Sequence, residues 1–302
     1  MKNCTSLFRI KLNDKWGYID NTGQVIIEPV FQYAWDFWDN LAAAKLNNKW
    51  GYIDCNGKTV IDYKYTQSWN FSDGFAPVKI KGKWGIIDHS DNMVIEPSFN
   101  FIDEFSNGMA LVNKNRKYGF LDKTGKYSIA LKYENAFSFS EELARVNNDD
   151  KWKYIDNKGN EVINCDFDCV FDFHEGLAQV MKNFKYGFID KSGDLVIELK
   201  YDSTDGFYED MANVKLGEKC GYINKKDEFV IDPIFDEALN FSEGRAFVKV
   251  KDEWGCIDKT GKFVLKPQFD DVNNFCNGAA MVILDDKYVY IDREGKRIWE
   301  EQ

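Results

Sequence analysis

The chain has 302 residues, 44% of them apolar and 16% aromatic, with 39 Lys+Arg against 50 Asp+Glu for a formal net charge of −11. Disorder goes with a shortage of aromatic and β-branched residues, so this composition excludes a disordered chain, and it excludes a collagen-like one. The longest apolar run is Ala279 to Leu284 and the start Met1-Lys2-Asn3-Cys4 leads into no secretory core, so neither membrane insertion nor Sec-type export is expected.

Self-similarity organises everything else. Counting in steps of 34 from Trp16 gives Trp50, Trp84, Tyr118, Trp152, Tyr186, Cys220, Trp254 and Tyr288, with no insertion or deletion and with Gly after seven of the nine anchors. Counting each anchor as position 0, position 3 holds Ile or Leu, position 4 holds Asp except at Asn224, and position 15 is Phe or Tyr. Position 21 is always Phe, from Phe37 to Phe275, position 26 is always Ala, and position 28 is Val except at Ala44. A period of this length requires a repeat architecture, predicted here as one array of nine units over residues 1–302, the last incomplete.

Within a unit the elements read in chain order. Trp16-Gly17-Tyr18-Ile19 is aromatic and β-branched, and a glycine inside a helix costs about 1 kcal/mol, so the step is predicted as a strand. Asp20 to Gly23 is a turn, with an Asp that accepts backbone N–H bonds and a Gly free to take positive φ. Val25-Ile26-Ile27 is a second strand, and the alternating stretch ahead of the next anchor, as in Ala76-Pro77-Val78-Lys79-Ile80, is a third. The connector at positions 13 to 24, opened by Pro29, Pro97, Pro233 or Pro267, fits either one or two helical turns or an irregular strand.

The core Lys-Trp-Gly-Tyr-Ile-Asp, intact at Lys15 to Asp20 and Lys49 to Asp54, resembles the WG-repeat family of bacterial proteins. The spacing to the Val-Ile segment and to Phe241-Ser242-Glu243-Gly244 also looks like that family's pattern, over nearly the whole chain. The resemblance implies a β-rich binding or interaction array and brings no catalytic motif. Departures are Cys220 for the anchor aromatic, Lys153 and Val289 for the anchor Gly, and Asp91 and Asp227 for the turn Gly.

Copies joined without gaps bury their apolar faces on neighbours, in an open solenoid or a closed ring. The first complete strand is Phe8 to Leu12 and the last segment, Arg297-Ile298-Trp299, is a third strand, so neither end needs the other to complete it. Nine units also exceed the usual ~4 to 8 blades of a propeller. The expectation is an all-β fold of three-stranded meanders stacked in an open curved β-solenoid, with a closed propeller-like ring as the alternative. Its end units, covered only by Met1 to Ser6 and Glu300 to Gln302, would favour end-to-end assembly of copies.

Chemistry is sparse. His89 and His174 sit in different units with no metal-ligand spacing around them, so they read as exposed loop residues, and no metal or cofactor is expected. Seven cysteines with Cys165 and Cys169 irregularly spaced make no disulfide framework, and free thiols in a reducing, cytoplasmic compartment are expected. No phosphate-binding glycine motif occurs, and the acidic balance repels nucleic acid. The recurring carboxylates are turn acceptors rather than a unique catalytic pair, so a glycosidase-type enzyme is the least expected reading. Columns that vary between copies are where specificity resides. Position 19 holds Trp35, Trp69, Phe137 and Phe171 but Asp103, Asp205, Leu239 and Asn273 elsewhere, and position 22 adds Trp38 and Tyr208 to a mainly Ser column. These six aromatics are the candidate ligand-binding residues, alternatively packed over the connector. The expected function is a non-enzymatic scaffold binding a protein partner, or an extended glycan through exposed Trp.

Overall fold

The computed structural model describes residues 6–301. The chain divides into two compact units, Met1–Glu161 and Val162–Gln302, and all regular elements among the described residues are β-strands apart from one 3₁₀ residue at Ser6. Of the segments expected to cap the ends, residues 1–5 and 302 lie outside the described residues.

In the first unit the chain opens with β1 (Phe8–Leu12), β2 (Lys15–Ile19) and β3 (Val25–Phe31), a three-stranded antiparallel sheet. The next sheet has four strands in the order β4 (Tyr33–Ala34), β5 (Ala42–Leu46), β6 (Lys49–Ile53) and β7 (Thr59–Tyr65), and every later sheet repeats that meander. The connector is therefore extended, with no helical turn. Its middle forms an edge strand on the following Ala-x-Val strand, with Tyr33 opposite Lys45 and Ala34 opposite Ala44. This corrects the expected three-stranded solenoid layers: the sheets after the first are small four-stranded blades of a β-propeller. The unit as read from the sequence was out of phase with the blade, because the edge strand belongs to the sheet that follows it. The reason for expecting end-to-end assembly goes with the solenoid.

The recurring glycine after the anchor has a steric cause. Trp16 pairs with Phe31 and Tyr18 with Ile27, so three residues of β3 bulge over Gly17 alone. A Cβ on Gly17 would lie 2.5 Å from the Ile27 carbonyl oxygen and 2.6 Å from Pro29 N. Proline suits the bulge, where no ladder N–H is needed. The two departures fit the same cause. Val289 pairs directly with Glu300 and Tyr290 with Trp299, without the bulge, and the strand after Lys153 ends at Asn164, where the bulge would begin.

Blades pack large face on small face. Tyr18, Ile27 and Phe31 of one blade cover Ala34, Phe37, Ala42, Ala44 and Ile53 of the next, and in the second unit Phe188, Ile197 and Tyr201 cover Phe207, Ala212, Val214 and Ile223. The invariant Ala position and the Val position, Ala at Ala44, are thus the shallow surface that lets bulky rings of the preceding blade approach. The Phe-Ser-Glu-Gly segment ties blades together as well as turning the chain. Ser242 Oγ donates to the Phe275 carbonyl at 2.7 Å, and Glu243 accepts the Gly278 N–H at 2.9 Å.

Asp20 is the turn acceptor expected from the sequence: its Oδ1 takes the N–H groups of Thr22 at 2.8 Å and Gln24 at 3.1 Å. Where Asp replaces the turn Gly, it does a second job. Asp227 Oδ1 accepts the Tyr201 hydroxyl at 2.7 Å and Oδ2 pairs with Lys200 at 2.5 Å, and Asp91 holds Tyr65 and Lys64 in the same way. Tyr133 occupies the same column, but its counterpart is Gly159, and its buried hydroxyl has no hydrogen-bond partner among the described residues. Tyr133→Phe is therefore expected to leave stability unchanged or raise it by about 1 kcal/mol, while Tyr201→Phe lowers it by about 1 to 2 kcal/mol. Urea unfolding of the two variants checks the difference in sign.

Candidate functional site

The edge strand decides what lines the cleft between successive blades. It sets positions 17 and 19 of each connector on the face that also carries the anchor of the same blade, so the variable columns and the anchor column meet there. In the first unit this cleft is filled with rings. Tyr33 lies 5.4 Å from Trp16, 5.1 Å from Trp35 and 5.8 Å from Trp50, centroid to centroid. Trp35 lies 5.9 Å from Trp69, which stacks on Trp84 at 5.8 Å with an interplanar angle of 4°. Except for buried Trp84, these rings are half-buried. The Arg9 guanidinium lies 5.4 Å from the Trp16 ring and 5.8 Å from Trp35, held there by Asp36 at 2.7 Å. The backbone beneath is fixed by buried tyrosines: Tyr18 donates its hydroxyl to the Trp35 carbonyl at 2.7 Å, and Tyr52 to the Trp69 carbonyl at 2.8 Å.

The structure brings two of the six candidate residues together, Trp35 and Trp69. Trp38 projects from the following hairpin and is 60% exposed. Phe137 lies under the Arg145 guanidinium at 3.5 Å and faces Trp152 at 6.1 Å. In the second unit Phe171 packs near Tyr186 at 6.3 Å, and Tyr208 lies 4.2 Å from His174. His89 and His174 are exposed, as expected, but only His89 lies in a turn, His174 ending the strand Cys169–His174; each contacts an aromatic ring, His89 stacking on Phe71 at 4.3 Å. The packing alternative accounts for much of position 19, because each aromatic there touches the ring of an anchor or of its neighbour.

Sequence reading missed a different feature of the same cleft. In the second unit, at the copy with Cys220 in place of the anchor ring, a cavity of about 240 Å³ opens between Asp205, Lys215, Cys220, Glu237, Leu239 and Trp254. The signal was present as two coincident departures, a thiol at position 0 and an acid at position 19 of the connector before it. Asn213 donates to Asp205 at 2.8 Å and to the Ala238 carbonyl at 2.7 Å, bracing the wall. Lys249 lies 3.1 Å from Glu237. The Lys219 ammonium, 2.5 Å from Asp236, holds that carboxyl below the usual range, so Asp236 is no proton donor at neutral pH. Burial pushes the Cys220 thiol up, which makes it a poor nucleophile.

Five of the described cysteines are free, but Cys55 is disulfide-bonded, so the expectation of free thiols throughout fails there. Among the described residues no group of three or more His, Cys, Asp or Glu side chains is placed to hold a metal, and no helix is long and apolar enough to cross a membrane.

Eight stretches match the WG containing repeat: 16–50, 50–84, 84–118, 118–152, 154–186, 186–220, 221–254 and 254–288. No curated protein matches the sequence. Among solved structures, the crystal structure of the eukaryotic initiation factor is similar at a TM-score of 0.70 with 10% identity, over 98% of this chain and 96% of that one. That likeness shows the propeller fold and nothing of activity. The structure of Kluyveromyces lactis Hsv2p matches at a TM-score of 0.46 with 12% identity, over 76% of this chain and 94% of that one.

Proposed function

The chain belongs to the family of WG containing repeat proteins, and from that premise we propose that it is a non-enzymatic binding scaffold whose first unit presents the Trp35 and Trp69 ribbon to a protein partner. The observation that carries this reading is the run of rings from Trp16 through Tyr33, Trp35 and Trp69 to Trp84, with Arg9 laid over it. Trp, Tyr and Arg are the residues in which binding energy at protein interfaces concentrates, above all where half-buried rings are already held in place. Tilted packing favours a protein over a sugar. A glycan ring needs a free, flat aromatic face, whereas Trp35 meets Trp69 at 44° and Tyr33 edge-on at 69°.

The test is capture from extract of the source cell on immobilised full-length protein, with bound proteins identified by mass spectrometry. A partner retained by the wild type should fall about tenfold or more with a Trp35→Ala/Trp69→Ala variant and stay with a Phe184→Ser variant, which removes an exposed ring from the second unit. Retention unaffected by the double change, with the circular dichroism of the fold intact, would overturn the reading. Trp fluorescence quenched by a glycan panel and lost in the double variant would move the assignment to carbohydrate.

A further inference from the structure

The cavity at Cys220 is a vacancy with a known template, because the same place in the repeat holds an aromatic ring at every other anchor, from Trp16 to Tyr288. Two copies show how the chain treats that ring. Lys79 pairs with Trp84 across the hairpin and Lys249 with Trp254, and in both the ammonium lies 5.6 Å from the ring centroid. Lys215 pairs with Cys220 in the same register, so a cation stands over a position that has lost its ring. Apolar walls remain around it: Val214, Leu239 and the indole of Trp254 all line the cavity. A Cys side chain is far smaller than an indole, and Asp205 in place of the aromatic at position 19 widens the opening further.

We infer that this cleft binds a small planar aromatic carrying an ammonium group, an arylalkylamine. The ring takes the place of the missing anchor, between Lys215 and Trp254, where it restores the cation–π contact seen in the neighbouring copy. Its ammonium lies at the mouth, where Asp205 and Glu237 are exposed. Each carboxylate already has one partner, but a carboxylate offers about four acceptor sites and can take a second donor. A dry apolar cavity of ~150 Å³ suffices for benzene, and the volume of about 240 Å³ here suits a bicyclic ring with a short amine arm. The inference uses none of the residues of the Trp35 ribbon and stands independently of it.

The experiment is a calorimetric titration of the full chain with tryptamine, with indole-3-acetate as the probe of identical ring and opposite charge. Tryptamine should bind with one site per chain, and indole-3-acetate about tenfold more weakly or not at all. Cys220→Trp, which refills the vacancy from within, should abolish tryptamine binding, and a variant with both Asp205→Asn and Glu237→Gln should weaken it about tenfold. A Trp-Lys dipeptide amide distinguishes the sources: tighter binding than tryptamine assigns the site to a peptide segment, weaker binding to a free amine. Alkylation of Cys220 by iodoacetamide, read by peptide mass spectrometry, should slow in the presence of tryptamine. Equal binding of the two indoles, binding that survives Cys220→Trp, or an affinity unchanged in the charge-removing variant would each overturn the inference, and the last keeps it testable if Cys220→Trp does not fold.

Discussion

Gly187→Ala is expected to lower stability by about 3 kcal/mol, a large effect for the addition of one methyl group. The new Cβ would lie 2.4 Å from the Ile197 carbonyl oxygen and 2.9 Å from the carbonyl carbon and oxygen of Glu198, all backbone atoms that no rotamer change can move aside. Relief requires opening the bulge between Ile197 and Tyr201, which would pull apart the pairings of Phe188 with Ile197 and Tyr186 with Tyr201. Those side chains form the face on which Phe207 and Val214 of the next blade rest, so the damage is shared by two blades. Lys153→Ala, at the same repeat position in a copy without the bulge, should change stability by less than about 1 kcal/mol, the worth of its exposed contact with Glu161. Urea unfolding of both variants is the measurement. A Gly187→Ala variant as stable as the wild type would mean that the bulge is not the reason for the glycine.

At alkaline pH the buried tyrosines should ionise only as the protein unfolds. Tyr18, Tyr52 and Tyr222 are fully buried and donate their hydroxyls to the carbonyls of Trp35, Trp69 and Leu239. Burial pushes each phenol far above its ordinary value. Below about pH 10 the folded and unfolded chains both keep these protons, so the contribution to stability is complete. Above about pH 10 the unfolded chain releases them and the folded chain does not, so stability falls as pH rises, by up to about 4 kcal/mol per pH unit for three such groups. The Cys256 thiol, pushed up to about 12 by burial, adds a loss of the same sign that starts from the lower ordinary thiol value. Ionisation of these buried tyrosines, followed by ultraviolet absorbance as a late step after that of the exposed ones, should therefore coincide with loss of the fold. Reversible ionisation of all fifteen tyrosines near pH 10 with the fold intact would contradict it.

The strands, turns and core columns were legible in the sequence because their causes are local. Gly17 with β-branched neighbours excludes a helix, Asp20 announces its turn, and Phe37 and Ala42 recur because every copy buries them in the same way. The architecture was less legible because it depends on pairings between copies. Tyr33 and Ala34 form too short a run to show a period, and only their ladder with Lys45 and Ala44 makes them a strand. Missing that strand turned blades into solenoid layers. Correlated variation went unread for a related reason: Asp227 looks like a mere lapse in the turn column, and Tyr201 an ordinary choice at position 15, until the hydroxyl and the carboxylate are seen 2.7 Å apart. At the site, the variable column at position 19 was visible, but whether Trp35 faces solvent or its neighbours depends on the edge strand, and Cys220 read as a lapse in the pattern where the fold shows a cavity.

The edge strand is thus the feature on which both sites depend, and amide hydrogen exchange at position 19 tests it directly. The N–H groups of Trp35, Trp69, Leu239 and Asn273 donate to the carbonyls of Ala43, Pro77, Phe247 and Met281 at 2.9 to 3.0 Å. These amides should exchange slowly, together with those of the Ala-x-Val strands beside them. Exchange of all four at the rate of an unstructured peptide, while the Ala-x-Val amides stay protected, would return the connector to an open loop and remove the basis of both clefts.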